Sequence, residues 1–155
     1  MTECDVTPWA HLLGEGTSLS ESGKRVSVRP FPGERIRMFL ADTPAFRAHF
    51  GNQQSCDAIF LVEAAGKRKL FFIELKGRNF EDSIPQLAET FLAVQRMLPA
   101  DCRNSTTLEA IAVSSGGTPT DDARRAVEAF RRRTKRPLLR TSLQRNQTFD
   151  LRSFI

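Results

Sequence analysis

Tyrosine is absent, tryptophan occurs once, and only three cysteines and two histidines are spread over the 155 residues. Cys4, Cys56 and Cys102 are odd in number and far apart with no C-x-x-C, and His11 and His49 are the only imidazoles. That poverty excludes a Cys/His zinc site, a disulfide scaffold and most Cys/His nucleophile schemes, and it predicts reduced, mostly buried thiols. Long apolar runs are missing too, since the longest, Ala58 to Val62, is far too short to cross a bilayer. The opening MTECDVTPWA has neither a basic n-region nor an apolar h-region. No secretory signal is therefore expected, and the expected setting is cytoplasmic with no membrane partner.

What is present suits one globular domain. Apolar residues make up 40% and charged residues 26% of the chain, and the length is near the usual size of a single domain. The net charge is +5 and the pI about 9.6. The excess is confined to one region: Asp121 to Ile155 holds ten Lys and Arg against four Asp and Glu, leaving thirteen against fourteen before it. Arg124, Arg125, Arg131, Arg132, Arg133, Lys135 and Arg136 lie in that segment. Guanidinium forks clamp phosphate in bidentate fashion and would supply sequence-independent affinity for nucleic acid. A solvated helix face, or an acidic partner, accounts for the same cluster equally well.

Residues Gly14 to Lys24, GEGTSLSESGK, read as a flexible loop. They divide an N-terminal segment, 1–24, from a single domain over 25–155. Val26 to Phe50 carries two periods at once: Val26, Val28, Ile36 and Met38 alternate as in strands, while Ile36, Phe39 and Leu40 also fit one helical face. Thr43-Pro44 would cap and open a helical turn bearing Phe46 and Phe50. Cys56 to Val62 and Lys69 to Lys76 read as two strands of a hairpin, with AAGKR between them. A helix capped at Asp82 or Ser83 follows, with Ile84, Leu87, Ala88, Phe91, Leu92 and Leu98 as its apolar stripe and Pro99 as its stop. Thr107 to Val113 gives a third strand and Ser114 to Pro119 a loop. A helix then starts at Asp121 or Asp122 with Ala123, Ala126, Val127 and Phe130 inward, and Pro137 to Leu143 gives a last strand. The order predicts an α/β fold with a mixed central sheet flanked by helices.

Asp57, Glu74 and Lys76 sit inside apolar strands, where an uncompensated charge is costly. Residues two apart in a strand share a face, so Glu74 and Lys76 point one way and Phe71, Ile73 and Leu75 the other. A turn spanning Ala65 to Arg68 would set Asp57 opposite Lys76 and Ile59 opposite Glu74. Cross-strand neighbours project from one face, so two acids and a lysine would converge at one end of the hairpin. Neighbouring carboxylates repel, and a hard divalent cation such as Mg²⁺, or Mn²⁺, relieves this with oxygen ligands from Asp57 and Glu74, water and a substrate phosphate. Such an ion lowers the pKa of a bound water and polarises a phosphodiester, while Lys76 would orient the nucleophile or offset transition-state charge.

CDAIFLV followed by FFIELKG resembles the aspartate and E-x-K signature of the PD-(D/E)xK nuclease superfamily, with Asp57 as the aspartate, Glu74 as the second acid and Lys76 as the lysine. Glu74-Leu75-Lys76 is the one acid-x-Lys of the chain. Cys56 stands where proline is usual. Gln86, just inside the next helix, is similar to a glutamine that some members place beside the active site, although the tyrosine that accompanies it there has no counterpart here. The resemblance covers Cys56 to Pro137 at most. It implies a restriction-endonuclease-like core of helix, three strands, helix and strand, often with an extra acid on the first helix, for which Glu34 lies at a plausible distance upstream.

The expected function is a metal-dependent deoxyribonuclease, an endonuclease in DNA repair, recombination or defence, with Asp57, Glu74, Lys76 and Gln86 in the site and Arg124, Arg131, Arg132, Arg133 and Lys135 gripping DNA. The alternative is an inactive nuclease-fold module that binds nucleic acid or a partner protein. A third reading makes the hairpin charges ordinary surface pairs, which exposure of Asp57 and Glu74 would favour. So short a chain leaves little for a separate recognition domain, so structure recognition, a homodimer or a partner protein would have to supply selectivity.

Overall fold

The computed structural model describes residues 12, 14, 16–21, 24–51, 54–75, 80–114, 120–142 and 148–155. Two sheets organise them. The larger has the order β3 (Glu34–Leu40), β4 (Ala58–Ala64), β5 (Lys67–Leu75), β6 (Thr106–Ser114), β7 (Leu138–Ser142). β3, β4 and β5 run antiparallel, whereas β6 and β7 are parallel to β5. The crossovers are helical, as parallel neighbours require: α2 (Ile84–Met97) joins β5 to β6 together with the short α3 (Ala100–Arg103), and α4 (Asp121–Thr134) joins β6 to β7. The smaller sheet has the order β1 (Ser18–Glu21), β2 (Lys24–Ser27), β8 (Thr148–Asp150). The α/β class expected from the sequence holds.

Alternation along the central strands divides the core in two. Ile59, Leu61, Leu70, Phe72, Ala110 and Ala112 face the helices, against Phe46, Leu87, Phe91 and Phe130. Phe60, Phe71, Ile73, Ile111 and Val113 face the other way, against Val26 and Val28 beside the smaller sheet and Leu151 near the C-terminus. Helices therefore cover one face and the small sheet the other, where the sequence led us to expect helices as the flanking layers. Both faces of β4 and β5 are buried, which explains why these strands read as nearly unbroken apolar runs.

The two-period stretch resolves into β2, β3 and then α1 (Pro44–Phe50). The Thr43 side chain caps α1 by accepting the Phe46 N–H at 3.1 Å, with Pro44 in the first turn. Ser18–Glu21, read from sequence as part of a loop, forms β1 against β2. Its alternation was legible only weakly because Leu19 is its sole apolar residue. Gly14 donates its N–H to the Met38 carbonyl at 2.8 Å, and a Cβ there would meet Leu40 at 2.9 Å, so glycine permits this close approach. The thiol expectation holds for Cys56, which is free and buried, and is corrected at Cys102, which is disulfide-bonded. No helix among the described residues is long and apolar enough to cross a membrane.

The hairpin register differs from expectation by two residues. Ala64 pairs with Lys67 and Ala58 with Ile73, because the turn is the two-residue pair Ala65-Gly66, both at positive φ, rather than a longer loop. That conformation matches the twist of the flanking strands, and Gly66 adopts it without strain. A shift of two preserves which residues share a face, whereas a shift of one would have reversed them all.

The C-terminus is tied to the opposite end of β3. Arg152 makes two hydrogen bonds to Glu34, at 2.9 and 2.6 Å. The Arg152 guanidinium, and after it the Phe31 N–H, hold the Glu34 carboxyl below its usual range. A lowered folded-state pKa contributes stability that is full above the unfolded value, about 4.3 for glutamate, and is lost as pH falls through the folded value. The melting-temperature gap between the parent and Glu34→Gln should therefore be widest near neutrality and close in acid. A gap that persists unchanged to the lowest pH at which the protein folds would refute this coupling.

Candidate active site

Asp57 and Glu74 are both buried, at 8% and 4% exposure, where the β4–β5 ladder becomes irregular. The paired ladder stops at Ala58 and Ile73, with Asp57 and Glu74 the next residue on each strand, and its register is two residues away from the one that would set Asp57 opposite Lys76. One step further, Cys56 and Leu75 would exchange both backbone bonds in a regular ladder. Instead, the Leu75 N–H donates to Asp57 Oδ2 at 2.6 Å, and the Cys56 N–H donates to Thr90 Oγ1 at 2.8 Å. Asp57 donates its own N–H to the Ile73 carbonyl, the partner of Ala58, at 3.1 Å. Two residues against one make a bulge-like step, a device that re-aims a side chain at the end of a strand.

Each surrounding element fixes part of this step. The Thr90 hydroxyl, on the sheet side of α2, accepts from Cys56 and donates to the Gln86 carbonyl at 2.9 Å. The Asp57 carbonyl accepts the N–H groups of Ala41 and Asp42 at 3.2 and 3.4 Å, from the chain leaving β3. Ser55 donates to the Ala41 carbonyl at 2.6 Å. Arg47 on α1 donates to both Asp42, at 2.9 Å, and Ser55, at 3.3 Å. On the other flank Glu74 pairs with Ala112 of β6.

The Cys56 thiol reports the local charge. Burial, then the negative charge of Glu74, then that of Asp57, push it well above the ordinary thiol range. It is a protonated, inert thiol at neutral pH, so a cysteine nucleophile is not the chemistry of this region.

The donor set fits a hard divalent ion. Two carboxylates supply oxygen, while no group of three or more His, Cys, Asp or Glu that could enclose a metal occurs among the described residues. An ion held by two carboxylates, completing its shell with water and substrate oxygen, has the pattern of Mg²⁺ rather than of a closed zinc site.

Lys76 lies outside the described residues. Gln86 is half-buried in the first turn of α2, and its carbonyl takes part in the Thr90 link. Glu34 is not with the acids: it opens β3 opposite Ala64, at the far end of β4 from Asp57, and is committed to Arg152. The α4 arginines are exposed, as expected, but several are already matched. Arg124 pairs with Asp121 at 3.0 Å, Arg131 with Glu128 at 2.7 Å and Arg133 with Glu89 at 3.2 Å. Arg132 and Lys135 are exposed without an ion pair among the described residues.

Sequence reasoning missed Thr90, Ser55 and Arg47. Thr90 carried a signal, a polar residue adjoining the apolar stripe of α2 that is fully buried in the structure. Arg47 carried none, since its role depends on the chain returning from β3 to Ser55. Comparison with family models, curated proteins and solved structures finds no match to this chain.

Proposed function

We propose that the protein is a metal-dependent nuclease that hydrolyses DNA phosphodiester bonds at Asp57 and Glu74. The observation that carries the reading is the burial of these two acids at an interrupted strand end, with the Asp57 carboxylate oriented by the Leu75 N–H at 2.6 Å, because oxygen donors held in this way suit a hard cation. Burial also argues against ordinary surface pairs. The run of three antiparallel strands, helix and strand, β3-β4-β5-α2-β6, supports the same reading. Its departure from the implied core is the helix α1, which lies between β3 and β4 instead of before the first strand.

In this reading Asp57 and Glu74 hold Mg²⁺ or Mn²⁺, which when bound supplies a water of lowered pKa and polarises a phosphoryl oxygen. The Leu75 N–H keeps the Asp57 carboxylate in one orientation, and Thr90 keeps Cys56 off the ladder so that this bond can form. Lys76 orients the attacking water or offsets charge on the pentacovalent phosphorus. Gln86, half-buried in the first turn of α2, is assigned the contact with substrate in this reading. Arg47, paired with Asp42 and hydrogen-bonded to Ser55, braces the chain that leads into Asp57.

The test is incubation of labelled linear, circular and branched DNA with the purified protein in Mg²⁺ and Mn²⁺, beside EDTA. Metal-dependent cleavage of at least one substrate is expected. Salt-sensitive binding without cleavage of any would favour the module that binds without cutting.

Arg132 and Lys135 are the residues of the α4 cluster with charge to spare. On duplex DNA, Arg132→Gln and Lys135→Gln should each flatten the salt dependence of binding by up to about 0.9. Arg131→Gln should change it less, since Glu128 already engages that guanidinium. Identical slopes for all three variants and the parent would place this face away from DNA.

A further inference from the structure

A second polar feature lies at the opposite end of β3. The loop between β2 and β3 opens a cleft of about 550 Å³ lined by Thr17, Ser27, Arg29, Phe31, Asp150 and Arg152, among others. Its size is that of an ordinary small-ligand site. Phe31 is 57% exposed, an unusual setting for a large apolar ring. The ring is held in place: the Arg152 guanidinium lies 3.7 Å from its centroid, and the Phe31 N–H donates to Glu34 Oε1 at 2.7 Å. One face of Phe31 is thus backed by a cation while the ring stays open to solvent.

The charges around it are unequally used. Arg152 is neutralised by Glu34, yet its buried Nε has no hydrogen-bond partner among the described residues. Asp150 gives Oδ1 to the Arg152 N–H at 2.9 Å, which leaves its second oxygen to accept from a ligand. Arg29 is exposed with no ion pair among the described residues. So are Arg25 and Arg35, on the strands either side of the loop.

We infer that this cleft binds a nucleotide of single-stranded nucleic acid, with the base stacked on Phe31 and the backbone phosphates meeting Arg29 and, beyond the cleft lining, Arg25 and Arg35 on the flanking strands. An aromatic platform beside an unmatched arginine, with two more on the flanking strands, is the combination that single strands use, because every base has a π-face and every linkage a charge. The Asp150 carboxylate and the Thr17 and Ser27 hydroxyls supply acceptors and donors for a base edge. Three exposed cations spread over the loop and its two flanking strands fit a strand better than a free nucleotide, which carries its charge at one point. The cleft lies about 20 Å from Asp57, the length of seven-residue β3 at about 3.3 Å per residue. It needs no metal, so it stands apart from the hydrolytic reading.

The test is anisotropy of fluorescein-labelled single-stranded DNA and RNA oligonucleotides in EDTA, where no metal-dependent cutting occurs. The parent should bind at least one of them saturably. Phe31→Leu keeps apolar bulk but loses the ring, and should weaken that binding about fivefold to a hundredfold, the span for losing one base–aromatic stack. Phe31→Trp should restore it. Arg29→Gln should flatten the salt dependence by up to about 0.7. Phe31→Leu binding as tightly as the parent, or a parent that binds neither strand, would overturn the inference whether or not the acids cut DNA.

Discussion

Glu74→Gln is expected to reduce metal-dependent cleavage at least about a hundredfold, the scale of removing one group that stabilises the transition state, while leaving the fold intact. Glutamine keeps the volume of the buried side chain, so no cavity opens. What changes is charge: the site loses one of two anionic oxygen donors, and the affinity of a hard cation depends on them. Asp57→Asn should act alike, with the added cost that the Leu75 N–H then has a weaker, neutral acceptor. A second readout separates charge from collapse. Of the two anions that raise the Cys56 thiol, Glu74 acts more strongly than Asp57, so Glu74→Gln should lower the pH at which that thiol ionises, with a smaller shift for Asp57→Asn. Parent-like cleavage by Glu74→Gln would remove the acid from the chemistry.

The largest expected effect on stability lies at Phe91. Its ring is fully buried and bridges three elements, 5.0 Å from Phe72 of β5 and 5.9 Å from Phe130 of α4. Phe91→Ala removes this bridge and leaves a void that the rigid sheet cannot close, which costs about 3–5 kcal/mol. Domains of this size are typically stable by only about 5–15 kcal/mol. The denaturation midpoint in urea should therefore fall steeply. A loss under about 1 kcal/mol would mean that α2 and α4 are not anchored to the sheet through this ring.

Legibility from sequence followed the strength of local constraint. The buried strands β4 and β5 were plain because Ala58–Val62 and Leu70–Ile73 leave no other period, and the pairing of Asp57 with the Glu74 face survived an error in register because that error was even. The turn was misjudged because Ala65 at φ 50° is a conformation that alanine seldom adopts, so a two-residue turn there was not the obvious solution. The polar edge strand β1 lacked a hydrophobic pattern, and its existence depends on pairing with β2. Glu34 was placed near the site through its distance in sequence alone. In the structure, β3 runs its whole length between Glu34 and the acids. The basic character of α4 was visible, but its partners at i−3, Asp121 and Glu128, show that much of that charge is internally balanced.

The interrupted ladder at Cys56 was the least legible feature and matters most. No local pattern distinguishes a strand that ends in a regular bridge from one whose aspartate takes over a backbone bond. That substitution depends on Thr90, thirty-four residues away, drawing off the Cys56 N–H.

The central claim is that Asp57 and Glu74 form one divalent-ion site, and it can be tested without knowing the substrate. Mn²⁺ titration followed by electron paramagnetic resonance would compare the parent with the Asp57→Asn/Glu74→Gln double variant, both shown to be folded by circular dichroism. The account predicts one saturable Mn²⁺ in the parent that Mg²⁺ displaces, and its loss in the double variant. Equal Mn²⁺ binding by the two proteins would contradict it.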